Sequence, residues 1–364
     1  LNNDSSYWVN SHTYIAAYDV ANSSEVIDSI DIRIEAALDK AGNVQEPFDA
    51  PDRFNIDTEN PDVLTMVANT LILTDSETGA GAFQLNLEFS EEMDTSIMPV
   101  IDFPVENPLL SSLAVNALST FWVDSASFQI RYNLVDAAET IMDIDVQVLN
   151  AYDFVGNLSK PADFIDFFSI DTANPATDSI TISSTLISDL DTGIATFRMI
   201  LDFSEAMDNM VLPVVSFPSK DPLLNSLLFN NDSSTWLNLT TYEAVYDVMD
   251  ANETLDSIDV SVTAAVDSLG NAMLAFEELN GFHIDTENPD IMMVNPNVNV
   301  VTDADTGTAS FLLRFSFSEE MDTTQLPIVS FPVEDPLAFT LNYNTDSSTW
   351  KSLTVFEARY NVAN

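Results

Sequence analysis

Carboxylates recur in this chain at fixed intervals, in company that suits a hard, oxygen-seeking cation. Asp57-Thr-Glu-Asn60-Pro61 returns as Asp171-Thr-Ala-Asn174-Pro175 and as Asp285-Thr-Glu-Asn288-Pro289. A Phe-Ser-Glu motif places Glu91, Glu205 and Glu319 at matching positions, and an Asp-x-x-Gly-Asn turn places Asp39 and Asn43, Asp153 and Asn157, Asp267 and Asn271. A further turn carries Asp75 and Glu77, then Asp189 and Asp191, then Asp303 and Asp305. Calcium takes about six to eight oxygen ligands from Asp, Glu, Asn and backbone carbonyls in a tolerant geometry. The chain has no cysteine, and its two histidines, His12 and His283, have no counterparts in register, so nothing in the pattern selects zinc. The Asp-x-Asp-Thr-Gly turn is not an EF-hand, because its glycine comes one place early and the closing bidentate Glu is missing. Asp, Asn and Gly are also ordinary turn residues, so a solvated turn is the competing reading of each motif.

Charge narrows the partners. Ten Lys and Arg face 59 Asp and Glu, a formal charge of −49. Such a surface repels nucleic-acid phosphates and anionic lipid. It also repels itself, which destabilises the compact state unless cations screen or bind it. Calcium-containing extracellular fluid supplies such cations, and so does concentrated brine, where acids hold water and salt without specific sites. With 46% apolar residues, aromatics and β-branched side chains in plenty, the chain can bury a core and is no disordered acidic tail. No run of about eighteen apolar residues is present to insert in a membrane.

The elements that must position these acids are repeated. Trp8, Trp122, Trp236 and Trp350 stand 114 residues apart (122 − 8). Phe103-Pro104 returns as Phe217-Pro218 and Phe331-Pro332, and glycines fall in the registered sets Gly42, Gly156, Gly270 and Gly79, Gly193, Gly307. A repeat of this length is one folding unit of ordinary domain size. The units run 57–170 and 171–284, flanked by the later part of a unit at 1–56 and the earlier part at 285–364. Leu1 corresponds to Tyr343 and Asn364 to Asn22, as expected of a window from a longer protein.

Within 171–284 the sequence predicts seven short strands: 178–187, 195–203, 212–217, 224–229, 241–248, 258–264 and 281–284. Apolar and polar residues alternate along them, turn residues separate them, and no sustained 3.6-residue period appears. The expected fold is all-β, a series of immunoglobulin-like antiparallel sandwiches without the disulfide, arranged as an elongated rod. The tryptophans are expected in the cores.

Alternating strand direction then places the acids. The linker Asp and Asn, the Phe-Ser-Glu loop and the Asp-x-x-Gly-Asn turn belong at one pole of each sandwich. The turn with Asp75 and Glu77 belongs at the other pole, with the loop bearing Asp136 and Glu139 (Asp250 and Glu253 in the next unit). Each motif therefore points at a junction between units. The expected calcium ligands are Asp57, Asn60, Glu91 and Asp153; Asp75, Glu77, Asp171, Asn174, Glu205 and Asp267; and Asp189, Asp191, Asp285, Asn288 and Glu319.

Phe-Ser-Glu-x-Met-Asp, Phe-Pro-Val-Glu-Asn-Pro, Thr-Tyr-Glu-Ala-Val-Tyr-Asp-Val and Asp-Ser-Leu-Gly-Asn, in constant order along essentially the whole chain, resemble bacterial immunoglobulin-like repeats of very large surface proteins and adhesins. The resemblance implies secreted or cell-surface, often calcium-stiffened stalks whose partners are neighbouring repeats. The expected role is a non-catalytic stalk segment of an adhesin or extracellular filament. Its rivals are a self-assembling filament, sheath or surface layer, in which other copies are the partner, and a carbohydrate- or protein-binding module. No His-Glu-x-x-His, phosphate-cradling glycine loop or dinucleotide fingerprint is present, and the paired Glu91-Glu92 becomes Glu205-Ala206 in the next unit, so no enzyme is expected.

Overall fold

The computed structural model describes residues 1–364, and its regular structure is β-strand with short 3-10 turns. In the unit from 171 to 284, β1 (Thr177–Ile182) and β2 (Leu186–Ser188) occupy the stretch expected as one strand. There follow β3 (Gly193–Phe203), β4 (Val214–Ser216), β5 (Leu227–Phe229), β6 (Thr235–Trp236), β7 (Thr241–Val248), β8 (Thr254–Thr263) and β9 (Phe276–Asp285).

One sheet has the order β1-β3-β7-β5, with β6 also paired to β7. The facing sheet has the order β2-β9-β8-β4, in which β2 runs parallel to β9. The first predicted strand therefore breaks at Ser183-Ser184-Thr185 and changes sheets. Ser183 N–H still bonds Arg198 O in the first sheet, and His283 N–H bonds Thr185 O in the second. Splitting one strand between two sheets ties their edges together at one side of the sandwich.

Alternation does the rest. Along β7, Tyr242, Ala244, Tyr246 and Val248 face inward and are buried, and along β8 Ile258, Val260 and Val262 do the same. They join Phe197, Met199, Leu201, Phe217, Phe282 and Ile284 in a core of 19 buried residues. Trp236 packs against this core, its ring 5.5 Å from Phe203 and 5.3 Å from Tyr242. The unit 57–170 repeats the topology and holds its own core of 19 buried residues, with Trp122 against Phe89 and Phe128. Burial at about 25 cal/mol per Å² of apolar surface stabilises each sandwich.

Residues 285–364 form one five-stranded sheet with a smaller buried cluster around Phe356 and Tyr360. Residues 1–56 form the pair Val26–Ile34 and Phe48–Asp57 and a hairpin at Tyr7–Ile15. Residues 1–56 hold counterparts of β6 to β9 but none of β1 to β5, and without a counterpart of Phe203 on β3, Trp8 is exposed where Trp122 and Trp236 are packed.

Candidate metal centre at the repeat junctions

Each last strand ends on the linker Asp: Phe48–Asp57, Ala162–Asp171 and Phe276–Asp285. The next residue, a threonine, is stitched backward. Thr172 is fully buried, its N–H donates to Glu139 O at 2.9 Å, and its hydroxyl accepts from the N–H groups of Ala137 and Glu139. Two residues on, Asn174 is stitched forward, its amide donating to Ala272 O at 3.0 Å. Asn60 does the same to Leu158 O at 2.8 Å. The proline that follows fixes φ, and its carbonyl accepts from Leu274 N–H (Pro175) or Lys160 N–H (Pro61). The linker is thus held on both sides, with its Asp between.

The Asp-x-x-Gly-Asn turn folds around its own carboxylate. Asp267 Oδ1 accepts the N–H groups of Leu269, Gly270 and Asn271, and Oδ2 accepts the Asn271 amide at 2.8 Å. Gly270 sits at φ +99°, a conformation L side chains rarely adopt. Asp153 makes the same bonds to Val155, Gly156 and Asn157. Both aspartates are buried. An ionised carboxylate has about four lone-pair sites, so Oδ2 keeps one for a further partner.

Two clusters result. Asp57, Glu91 and Asp153 each bring a carboxylate oxygen within 4.8 Å of the others, and so do Asp171, Glu205 and Asp267. The three motifs expected at this pole, from linker, loop and turn, meet at one place in each complete unit. No Lys or Arg pairs with either trio; the nearest ion pair, Lys160 Nζ to Asp62 Oδ2 at 2.8 Å, uses the residue beyond the proline.

Electrostatics record the crowding. Burial, with Asp153, Asp57, Glu59 and Asp62 around it, pushes the Glu91 carboxyl up to about 7. Glu205 is raised by burial and by Asp171 and Asp267, and Glu319 by burial and by Asp285, Glu287 and Asp290. Glu91 Oε1 and Glu319 Oε1 are buried atoms with no hydrogen-bond partner.

The preceding unit reaches into the second cluster. Its Asp75 heads a 3-10 turn (Asp75–Glu77) capped by Thr74. Asp75 N–H donates to Asn271 Oδ1 at 2.9 Å, and its Oδ2 accepts from Asn174 at 2.9 Å. Its Oδ1 is buried without a partner, and burial, then Asp136, Asp267 and Asp171, raise the carboxyl against the Asn174 bond.

The other expected ligands are placed differently. Glu77 turns inward on its own turn, Oε2 accepting from Thr74 N–H and hydroxyl and Oε1 from Ser76, which holds its carboxyl below the usual range despite burial. Asp191 caps Ser188 in the same way, and neither is a member of a carboxylate trio. Asp189 lies on the corresponding turn of unit 171–284. Asp285 Oδ1 accepts the Thr254 hydroxyl, and Asn288 N–H donates to Asn252 Oδ1. Asp285 lies near Glu319 and helps to raise it, and no turn Asp joins these two among residues 285–364. Glu139 is taken up by the hydroxyls of Ser111 and Ser112, and Glu253 by Ser226.

Sequence reasoning did not assign a role to two residues at the junctions. Lys160 has no counterpart in register, which hid it. Asn271 was visible in its turn, but nothing in its spacing showed that the preceding unit would seat on it.

The donors are all oxygen, most are formally anionic, and several lack protein partners. That set fits calcium and offers nothing that a soft metal requires. No helix is long and apolar enough to cross a membrane.

No protein-family model and no curated protein matches the chain. Among solved structures it is similar to cadherin-like domains 1 to 4 of zebrafish RET, at 8% identity and a TM-score of 0.25, covering 75% of this chain and 60% of that one. It is also similar to domains 1–6 of the surface layer protein SbsC, at 10% identity and a TM-score of 0.19, covering 84% of this chain and 51% of that one. The chain thus spans less than two thirds of either.

Proposed function

We propose that this chain is a non-catalytic stalk segment of a secreted or cell-surface protein, its tandem sandwiches stiffened by calcium at the junctions. The observation that carries this reading is the recurrence of one carboxylate trio, Asp57/Glu91/Asp153 and Asp171/Glu205/Asp267, at two successive linkers. In each, the linker, a loop and a turn of one sandwich supply the oxygens. At the second, Asp75 and Asn174 bring in the preceding sandwich. Bound calcium would offset the mutual repulsion of these groups and add to the few contacts that join two successive units. Asn60, Asp285, Asn288, Glu319, Asp189 and Asp191 belong to the same reading at their own junctions, as bridging or supporting groups, and Glu77 as a support for the Asp75 turn.

Calorimetric titration with calcium, with magnesium as control, tests it. Saturable calcium binding that E91Q and E205Q each reduce by one site is expected; equal binding by wild type and the double variant would end the reading.

A second reading has its own observation. Met98 and Val100, and Leu212 and Val214, form an exposed apolar pair in register at an edge strand, and Leu326 and Ile328 repeat the exposed pair, which favours lateral contact between copies in a filament, sheath or layer. Pro99, Pro213 and Pro327 interrupt each pair and blunt the edge against strand addition. Trp122, Trp236 and Trp350, packed against the cores, offer little to a sugar-stacking role.

A further inference from the structure

We infer that Asn271 is a neutral latch that seats the preceding unit on the following one without any ion. The proposal goes beyond the calcium reading, because every partner in it is a protein atom.

Asn271 is fully buried, and each polar atom of its side chain is used. Its amide donates to Asp267 Oδ2 at 2.8 Å within its own turn and to Asp171 O at 3.0 Å in the linker. Its carbonyl oxygen accepts the N–H of Asp75, in the preceding unit, at 2.9 Å. One side chain therefore joins three segments: the earlier sandwich, the linker and the later sandwich. The Asp75 N–H lies at the start of a 3-10 turn, where backbone donors have no partner inside the turn. Left dry and unpaired, that donor would carry a desolvation penalty; Asn271 Oδ1 removes it.

The equivalent asparagines show how the seat is built. Asn43, Asn157 and Asn271 each donate to the Asp of their own turn, at 2.7, 2.7 and 2.8 Å, so the side chain is oriented before any neighbour arrives. Asn43 bonds only its own turn and is exposed. Asn157 has a linker and reaches Asp57 O at 3.4 Å, half-buried. Asn271 has both the linker and the preceding turn, and it alone is closed off. Aspartate at this position would lose both donations and set a third carboxylate against Asp267 and Asp171, so the amide is chemically required.

The test uses the whole 364-residue chain, which has no cysteine. Cysteines replacing Leu118 and Met210, both almost fully exposed and in successive units, carry spin labels. Pulsed dipolar spectroscopy is run in chelator and again in calcium. The labelled parent should give a single narrow distance in chelator. N271A should lose it, and N157A, at the other junction, should keep it. D75P removes the N–H while leaving Asn271 intact, and Thr74 is already extended, as a residue before proline must be. D75P should also lose the narrow distance. D75A keeps the N–H but removes the side chain that accepts from Asn174, and should retain the narrow distance. Because D75P lies outside the unit that holds Asn271, it decides the matter if N271A unfolds its own sandwich.

A narrow distance for D75P and N271A in chelator would overturn the latch. So would a parent that is narrow only in calcium, a result that leaves the ion reading standing. A parent narrow in chelator and unchanged by calcium, with both variants broad, would uphold the latch and remove the ion reading.

Discussion

Two carboxylates of one cluster, Glu205 and Asp267, serve different ends, and substitution separates them. Asp267 holds three backbone N–H groups of its turn and the Asn271 amide, so D267A exposes buried donors and should cost on the order of 1–3 kcal/mol in chelator. Glu205 accepts no such set and suffers burial beside Asp171 and Asp267. E205Q should leave metal-free stability equal or slightly raised while weakening calcium binding by about tenfold or more, the effect of losing roughly 1.4 kcal/mol. Denaturant melts with and without calcium check both. Acidity adds a second handle. The folded chain holds the Glu91 proton up to about pH 7, whereas the usual value is 4.5. With its pKa raised on folding, Glu91 favours the folded state most fully below the lower value. That contribution is lost as pH rises through the window and is level above about 7. Metal-free stability should therefore gain from Glu91 on acidification, while calcium, which requires the ionised form, should bind better as pH rises over the same range. A chelated protein whose stability is flat across that window, or calcium affinity indifferent to it, would contradict the assignment.

At the scale of the elements, turns position the acids, and their backbone demands are specific. Gly270 sits at φ +99° with open space where a Cβ would project, so G270A is a test of strain alone. It should destabilise its unit by about 1 kcal/mol and lower calcium affinity, because the turn presents Asp267. Thermal melts of the variant give the first quantity and calorimetry the second. What could be read ahead of the structure follows the same division. Alternation such as Tyr242, Ala244, Tyr246, Val248 reports which face is buried, so the strands, the sandwich and the poles were legible. The split of Thr177–Ser188 between two sheets was not, because Ser183-Ser184-Thr185 reads as strand by composition and only the facing sheet draws Leu186–Ser188 away. Likewise, Asp and Glu in a turn look alike in sequence whether they face outward or cap. Glu77 and Asp191 close hydrogen bonds on Thr74 and Ser188, a role set by turn geometry. The linker Asp, the loop Glu and the turn Asp could be assigned to one pole because strand direction alone fixes that. The reach of Asp75 onto Asn271 could not, since it depends on how one sandwich sits on the next.

Across the whole molecule, the cores and the junctions are physically separate reservoirs of stability, and this has a measurable consequence. Each complete unit holds its own 19-residue cluster, and neither cluster includes a junction carboxylate. Removing calcium should therefore leave the sandwiches folded. Its stabilisation by mass action is about 2.7 kcal/mol per site at a free concentration of 100 times Kd, added to the folded state only. Chelation should lower the melting temperature of the units 57–170 and 171–284 while their near-ultraviolet tryptophan signals, from Trp122 and Trp236, survive at room temperature. The −49 charge pulls in the same direction, since monovalent salt screens it but cannot bridge particular oxygens. Small-angle scattering in chelator, with sodium chloride raised stepwise and then calcium added at millimolar level, separates the two effects. If calcium acts at the junctions, it should narrow the distance distribution at low salt beyond what the Asn271 contacts hold in chelator, chiefly at the 1–56/57–170 junction, and molar sodium should not reproduce this. If molar sodium narrows it equally well, the acids act as a diffuse charge suited to brine, and the junction trios are turns without an ion.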